Sequence, residues 1–517
     1  MSAMAGPRRL IVTVCAMSAS VMQTLDSTIA NVALPNMQGS MSASLDQINW
    51  VLTSYIVSAA IMTAPVGWLA QRFGRKRLFV FWTVSFTLAS VLCGLAQNLT
   101  QLVGFRILQG CFGAALIPLA QSVMIDIYPP HEQPKAQSIF GMGIMLGPIM
   151  GPTLGAWLTD NYSWHWVFLI NLPFGIIAAT GLAVFMDETK PNPNLKFDWF
   201  GFAALGIGIG ALQLALDRGE QAGWFESYEI IAEFIIAAFG IYYFLAHSLT
   251  TKEPFIRFEI FRDRNFASAC IFMAVMAVVL FGTMALVSPF LQQVGGYPVQ
   301  SAGMVLSSRG VGTFFAMMSV RSLMFYVEAR MMLMVGLVMT AVSLFMMSGF
   351  TNDTSASWIF TVGAFQGFAF GVVFVSTNTV AFLTLPPSLR TYGASFQTLV
   401  RNTSSSFGIS IVISQLTQET HRAHAHLSEY ITPFNDALKM PSVTQYLNLN
   451  TDAGRALTDS ILNLQALVIG YGYVFSLVMI FAICALPACF VVGKTRATFV
   501  AKTARPPDSK LTGEPAE

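Results

Sequence analysis

Two ionisable side chains stand where the chain is otherwise apolar: Asp26 in Leu25-Asp26-Ser27-Thr28-Ile29-Ala30, and Arg106 in Phe105-Arg106-Ile107-Leu108-Gln109-Gly110. An ionisable group at mid-membrane costs at least about 2.5–3.5 kcal/mol, so each needs a reason. A carboxyl group in changing hydration can load and release a proton, because desolvation favours its neutral form and a nearby cation its charged form. Asp26 is therefore read as a proton-binding carboxylate. The structural alternative is an acid that caps or hydrogen-bonds a neighbouring helix. Arg106 is its natural internal partner, with donation to backbone carbonyls as the alternative. Arg309 and Arg401 also fall in apolar stretches, and both are expected to fix packing between helices. Asp126, at the end of its stretch, is expected to act as a gate partner for Arg72 or Arg75, with a solvated helix-end acid as the alternative. Glu233 is placed at the membrane interface.

Two further patterns concern movement rather than proton chemistry. Gly67-Trp68-Leu69-Ala70-Gln71-Arg72-Phe73-Gly74-Arg75-Lys76-Arg77 stacks cations on a tight turn between two apolar segments. Gly67 permits close helix contact, Gly74 permits the turn, and the cations face anionic lipid headgroups or a carboxylate. Gly143, Gly147, Gly151 and Gly155 recur every four residues, with Pro148 and Pro152 beside them. Such steps drift only about 40° around a helix, so the glycines form one stripe that another helix can approach closely. The prolines remove backbone donors and are expected to bend the helix. His421, His424 and His426 cluster too, but no cysteine or paired acid completes a ligand set, and no metal is expected. The six cysteines lie in apolar segments and are read as core residues without disulfides. No phosphate-binding loop of the Walker type occurs, and neither an enzyme nor an ATP-driven pump is expected.

The surrounding chain must position these groups inside a membrane. Of 517 residues, 54% are hydrophobic and 10% charged, with a net charge of +2. A soluble domain carries about 25% charged residues. The balance excludes a soluble enzyme, a disordered chain and a nucleic-acid binder, which needs a concentrated basic excess. Apolar runs predict an all-α protein with fourteen transmembrane helices, near 10–34, 50–70, 78–97, 101–125, 135–158, 165–186, 198–216, 229–249, 266–291, 301–323, 331–350, 358–382, 392–416 and 467–492. Most Lys and Arg residues then fall on the side of the N-terminus. Only Arg218, Arg422, Lys439 and Arg455 lie opposite, which predicts both termini in the cytoplasm. An offset of 257 aligns Gln109-Gly110 with Gln366-Gly367 and Pro129-Pro130 with Pro386-Pro387. The repeat predicts a six-helix half over 1–190, a link and inserted helix pair over 191–265, and a second half over 266–496. An external segment over 417–465 and a disordered tail over 497–517 complete the organisation. Parallel halves of this kind suit a rocking transporter.

Together these residues resemble the major facilitator superfamily: the basic loop its first signature, Arg106-x-x-Gln109-Gly110 its second, and the glycine stripe its antiporter signature. Leu25 to Pro35 and Trp164-His165-Trp166-Val167-Phe168-Leu169-Ile170-Asn171-Leu172-Pro173-Phe174-Gly175 are similar to signatures of its fourteen-span drug/proton antiporters, the EmrB/QacA branch. The resemblance implies proton-coupled export of hydrophobic or amphipathic compounds by alternating access, without a cofactor, across a bacterial inner membrane. The alternatives are export of one endogenous metabolite, lipid or fatty acid, and a membrane sensor without transport. It also implies a cavity between the first and fourth helices of each half, where Met22, Gln23, Gln109, Met284, Phe290, Gln366, Phe370, Phe374 and Asn378 are the candidate lining residues. Soft Met and flat aromatic groups suit varied amphipathic ligands. The external segment, with His421 to Leu427 and Ile431-Thr432-Pro433-Phe434, resembles the EmrB side of the branch and implies a periplasmic adaptor and, through it, an outer-membrane channel. The sequence departs from the family at Gln71, where an acid is common, and at Gly363, where the repeat of Arg106 would stand.

Overall fold

A computed structural model describes residues 6–129, 132–251, 254–324, 326–432 and 449–493, together with 435, 438, 440 and 447. Lys439, Pro433, Phe434, Pro130 and the tail from 494 lie outside them.

The described chain is helical: α1 (Pro7–Met41), α2 (Leu45–Thr63), α3 (Val66–Phe73), α4 (Arg75–Gly94), α5 (Leu99–Gly113), α6 (Leu116–Ile127), α7 (Gln133–Asn161), α8 (Trp166–Leu169), α9 (Asn171–Phe185), α10 (Trp199–Arg218), α11 (Tyr228–Thr250), α12 (Arg264–Pro289), α13 (Val299–Leu306), α14 (Ser308–Leu323), α15 (Ala329–Ser348), α16 (Ala356–Leu383), α17 (Arg390–Ser428) and α18 (Asp452–Cys484). Helix starts follow local chemistry. Ser44 and Gln47 form a reciprocal capping box on α2, and Asn98, Asp263, Ser355 and Thr451 cap α5, α12, α16 and α18 with side-chain oxygens. Pro65 lacks a donor, and α2 and α3 meet there at 56°. Pro289 ends α12 in a π-helical turn over Phe290–Val294.

Every expected span coincides with helix, but fewer helices pass as membrane spans. Among the described residues 11 are long and apolar enough to cross, or 12 when the bent α2–α3 pair counts as one. The pieces α13 and α14 are each short, and α17 is rich in Thr, Ser, Gln and Arg. Helix α17 also continues to Ser428, past the expected end at 416, and α18 begins at Asp452, well before 467. Polar helix beyond an apolar run leaves no mark in hydropathy, so those ends were missed.

Packing falls into two groups. In the first, α1 lies on α7 and α9, α2 on α5, and α4 on α5 and α9. In the second, α12 lies on α16 and α17, α14 on α16, and α15 on α16 and α18. The groups meet along α7 with α14 and α16, and along α17 with α2, α3 and α6. Gln121 of α6 donates to Asn378 of α16 at 2.7 Å, and these two residues are themselves 257 apart, so equivalent positions of the repeat touch each other. Helices α10 and α11 pair through Gly208 and Gly240, and α10 lies against α2 and α17. Outward faces carry large apolar side chains, among them Phe81, Leu88, Ile176, Phe239, Phe345 and Ile480, as a lipid solvent permits.

Candidate functional site

Asp26 is fully buried in α1, and so is Arg106 in α5. One guanidinium nitrogen of Arg106 donates to Asp26 Oδ2 at 2.6 Å and to Gln109 Oε1 at 2.8 Å, while Nε donates to the Val51 carbonyl at 3.0 Å. Gln109 Nε2 donates to the other carboxylate oxygen at 2.8 Å, and Asn171 Nδ2 donates to it at 3.1 Å. Asn171 is held by Ser90, 3.0 Å away. The Tyr55 ring lies 4.1 Å from the guanidinium carbon. Three nitrogen donors thus converge on one carboxylate out of water, an arrangement suited to its ionised form. Arg106 thus binds both an acid and a backbone carbonyl. Asn171 was not singled out, although it lies in the quoted Trp164–Gly175 motif.

The glycine stripe sets the height of this carboxylate. A Cβ at Gly147 would collide with Thr24, one at Gly151 with the Thr28 hydroxyl, and one at Gly155 would come within 2.9 Å of Ile29. Thr28 Oγ1 donates to the Gly147 carbonyl at 3.1 Å. Gly143 faces Met17, whose sulfur would lie 2.9 Å from a Cβ. Asp26 therefore sits midway between the two closest crossings of α1 and α7. Pro148 and Pro152 lie within α7, which remains one helix through both.

At the end of the bundle that carries the basic loop, Gly74 adopts φ +92°, and a Cβ there would lie 2.6 Å from the Glu188 carboxylate. That carboxylate accepts from the Lys76 and Arg77 amides, both at 3.1 Å, and so caps α4. Asp126 pairs with Arg75 at 2.5 Å and with Arg390 of α17 at 2.7 Å. Of the two expected partners it takes Arg75 and not Arg72, because Arg75 opens α4 and faces α6. Arg390 was missed; it was counted only as a loop cation. Gln71 donates to the Ser388 carbonyl at 2.8 Å and accepts from Tyr392 Oη at 3.3 Å. Neutral hydrogen bonds thus join the groups where the family often has an acid. Gly67 lets α3 meet α17: a Cβ would lie 2.6 Å from the Tyr392 ring.

A cavity of about 60 Å³ opens between the groups, lined by Pro148 and Pro152 of α7 and by α12, α13, α14, α15 and α16. Of the nine candidate lining residues, Met284, Gln366 and Phe370 face it. The others do not line it. Gln109 is committed to Asp26, and Gln23 accepts from the Ile117 amide at 3.2 Å. Asn378 is taken by Gln121 and by the Phe374 carbonyl at 2.9 Å. Phe374 stacks between Phe140 and Phe370, and Phe290 packs on Phe350 and Tyr471. Met22 is buried in the core. Arg309, expected to be a packing residue, lines the cavity with none of its three guanidinium nitrogens hydrogen-bonded. Among the histidines, His424 approaches Asp459 of α18 at 3.5 Å.

The multidrug export protein EmrB of Escherichia coli (strain K12) is 32% identical over 91% of this chain and 92% of its own length. The fatty acid resistance protein FarB of Neisseria gonorrhoeae is 32% identical over 81% of this chain and 82% of its own. Among solved structures, the human organic anion transporter MFSD10 (TETRAN) shares the fold with a TM-score of 0.57, at 13% identity over 92% of this chain and 100% of that one. Residues 16–409 match the Major Facilitator Superfamily; this multi-pass helical membrane protein belongs to that superfamily.

Proposed function

We propose that the protein is a proton-coupled multidrug efflux transporter of the bacterial inner membrane, exporting hydrophobic or amphipathic compounds by alternating access. The observation that carries this reading is the fully buried Asp26–Arg106 pair, held at 2.6 Å on a helix clamped by the glycine stripe. The multidrug export named for its relative EmrB supports the cargo class. Fourteen spans, as two six-helix halves (1–190 and 266–496) around the inserted pair, with both termini cytoplasmic, complete the proposed topology.

Protonation of Asp26 would cancel its charge and leave Arg106 buried without a counter-ion. Breaking a buried pair in this way costs about 3–5 kcal/mol. That cost favours any arrangement in which Arg106 meets water or another anion, and so biases the bundle. One charge moving across 100 mV supplies about 2.3 kcal/mol. Release of the proton to the cytoplasm restores the pair and resets the cycle. The Arg75–Asp126–Arg390 cluster closes the cytoplasmic side in one state and parts in the other. No bound cofactor takes part in this cycle, which runs on the proton gradient.

The test is transport by the purified protein in vesicles with an imposed pH gradient. Gradient-driven movement of a panel of amphipathic compounds is expected for the native chain and lost in Asp26→Asn. Undiminished transport by Asp26→Asn removes the carboxylate from the mechanism. The extensions of α17 and α18 beyond the apolar spans support docking of a periplasmic adaptor, which would lead on to an outer-membrane channel. Deletion of 425–460 is expected to abolish adaptor crosslinking.

A further inference from the structure

Arg309 occupies a position that a buried cation should not hold alone. It is 7% exposed, and its Nε and both terminal nitrogens lack a hydrogen-bond partner. Gln366, 5% exposed on the same cavity wall, has both side-chain amide atoms unpartnered. The backbone of α14 is pressed onto α16 at this level: a Cβ at Gly367 would collide with the Arg309 carbonyl. Arg309 is therefore seated where it stands by glycines, not by a charge.

The repeat explains what is missing. The offset of 257 carries Gln109 onto Gln366 and Asp26 onto Thr283. Thr283 is neutral and donates to its own helix at the Val279 carbonyl, 2.7 Å away. No acidic residue occurs anywhere in α12, α13, α14, α15 or α16. The second group thus keeps the glutamine and supplies a cation from α14, yet has no carboxylate to answer it. An uncompensated buried charge is costly, and a neutral or cationic ligand would leave it so.

We propose that Arg309 and Gln366 form the headgroup site for an amphipathic organic anion, a carboxylate above all, whose apolar tail runs along Met276, Leu280, Met284 and Phe370. The guanidinium presents donors in a planar fork that matches two carboxylate oxygens. The Gln366 amide supplies a further donor, as Gln109 does for Asp26. A volume of about 60 Å³ takes a headgroup and falls short of the roughly 300–1,000 Å³ of a drug-sized site. The tail is accommodated when the two groups part. This inference names a substrate class for the efflux reading and rests on it for the direction of movement, whereas binding itself needs no gradient.

The test is binding of radiolabelled dodecanoate to the full-length protein in zwitterionic nanodiscs, corrected for empty discs. Unlabelled dodecanoate is expected to compete, while dodecanol, dodecyltrimethylammonium and acetate compete far less. Arg309→Gln is expected to weaken binding by about tenfold or more, the value of a charge-assisted contact, with Arg309→Lys in between. Equal binding by Arg309→Gln, or equal competition by dodecanol, overturns the proposal. Should Arg309→Gln fail to fold, Gln366→Leu carries the test, with weaker dodecanoate binding expected and unchanged binding fatal. Discs of phosphatidylglycerol separate two sources of such an anion. Weakened dodecanoate binding there assigns the site to a lipid headgroup, and unchanged binding assigns it to a free amphipath. The binding assay carries no gradient, so binding weakened by Arg309→Gln, alongside native protein that moves no compound on an imposed pH gradient, retains this site and rejects the efflux reading.

Discussion

Two arginines are buried at corresponding levels of the two helical groups, and their surroundings differ. Arg106 is fully enclosed, with Asp26, Gln109 and the Val51 carbonyl as acceptors and an aromatic ring beneath it. Arg309 has a glutamine nearby but no hydrogen bond from its guanidinium, and its helices hold no acid. Arg106 has a carboxylate to answer its charge, though one of its terminal nitrogens lacks a hydrogen-bond partner, and Arg309 has none. A charge answered internally can be switched by adding a proton, whereas a charge left open can be answered only by something that enters. On the proposed reading the division gives the driving ion and the cargo separate places, the ion within the first group and the cargo at the seam between the two.

Perturbing each cation separates the two cases, and the largest effect belongs to the closed one. Asp26→Ala strands Arg106 and is expected to lower stability by about 3–5 kcal/mol, read as thermal unfolding in detergent; a loss below about 1 kcal/mol would mean that the pair is already solvated. Gly151→Leu drives a side chain into Thr28 and is expected to cost about 1–3 kcal/mol through overpacking. It should reduce gradient-driven transport while the protein still inserts. Asp126→Asn removes the acceptor shared by Arg75 and Arg390 and is expected to shift the open–closed balance by about 1.5 kcal/mol, or roughly tenfold in population. Distance measurements between labels on α6 and α17 would report that shift. Arg309→Gln carries the smallest change and the opposite sign. With no partner to lose, stability is expected to stay level or rise by up to about 1 kcal/mol. A loss as large as that of Asp26→Ala would show that Arg309 is answered after all.

Much of the closed site was legible from the residues. Asp26 and Arg106 stood out because charge is rare in apolar runs, and the four-residue spacing of the glycines marked a face whatever its partner. Asn171 was hidden by being one amide among many. The cavity was legible only in part, since a chain with 42 Phe and 27 Met places such side chains on every face of every helix. Of the first and fourth helices of each half, only those of the second half, α12 and α16, line the cavity, with α7, α13, α14 and α15 beside them, and Phe290, Phe374 and Asn378 turned to neighbours instead. Arg309 was read as a packing residue because a lone charge invites a partner by default. The absence of acids from α12 to α16 was in the sequence, and acquires meaning only once those helices are known to surround it. Arg390 looked like any positive-inside loop cation until α6 brought Asp126 against it.

Helix α7 touches both buried arginine sites without contributing to the charge of either. Its glycine edge bears on α1 beside Asp26, and its two prolines form part of the wall around Arg309. On the proposed reading, a displacement of this one rod would loosen its grip on the carboxylate's helix and reshape the cavity around Arg309 in the same stroke. Under that proposal proton and cargo would compete without ever meeting, and by linkage each would alter the hold on the other by the same factor. Stoichiometry would be written in the stiffness of a single helix.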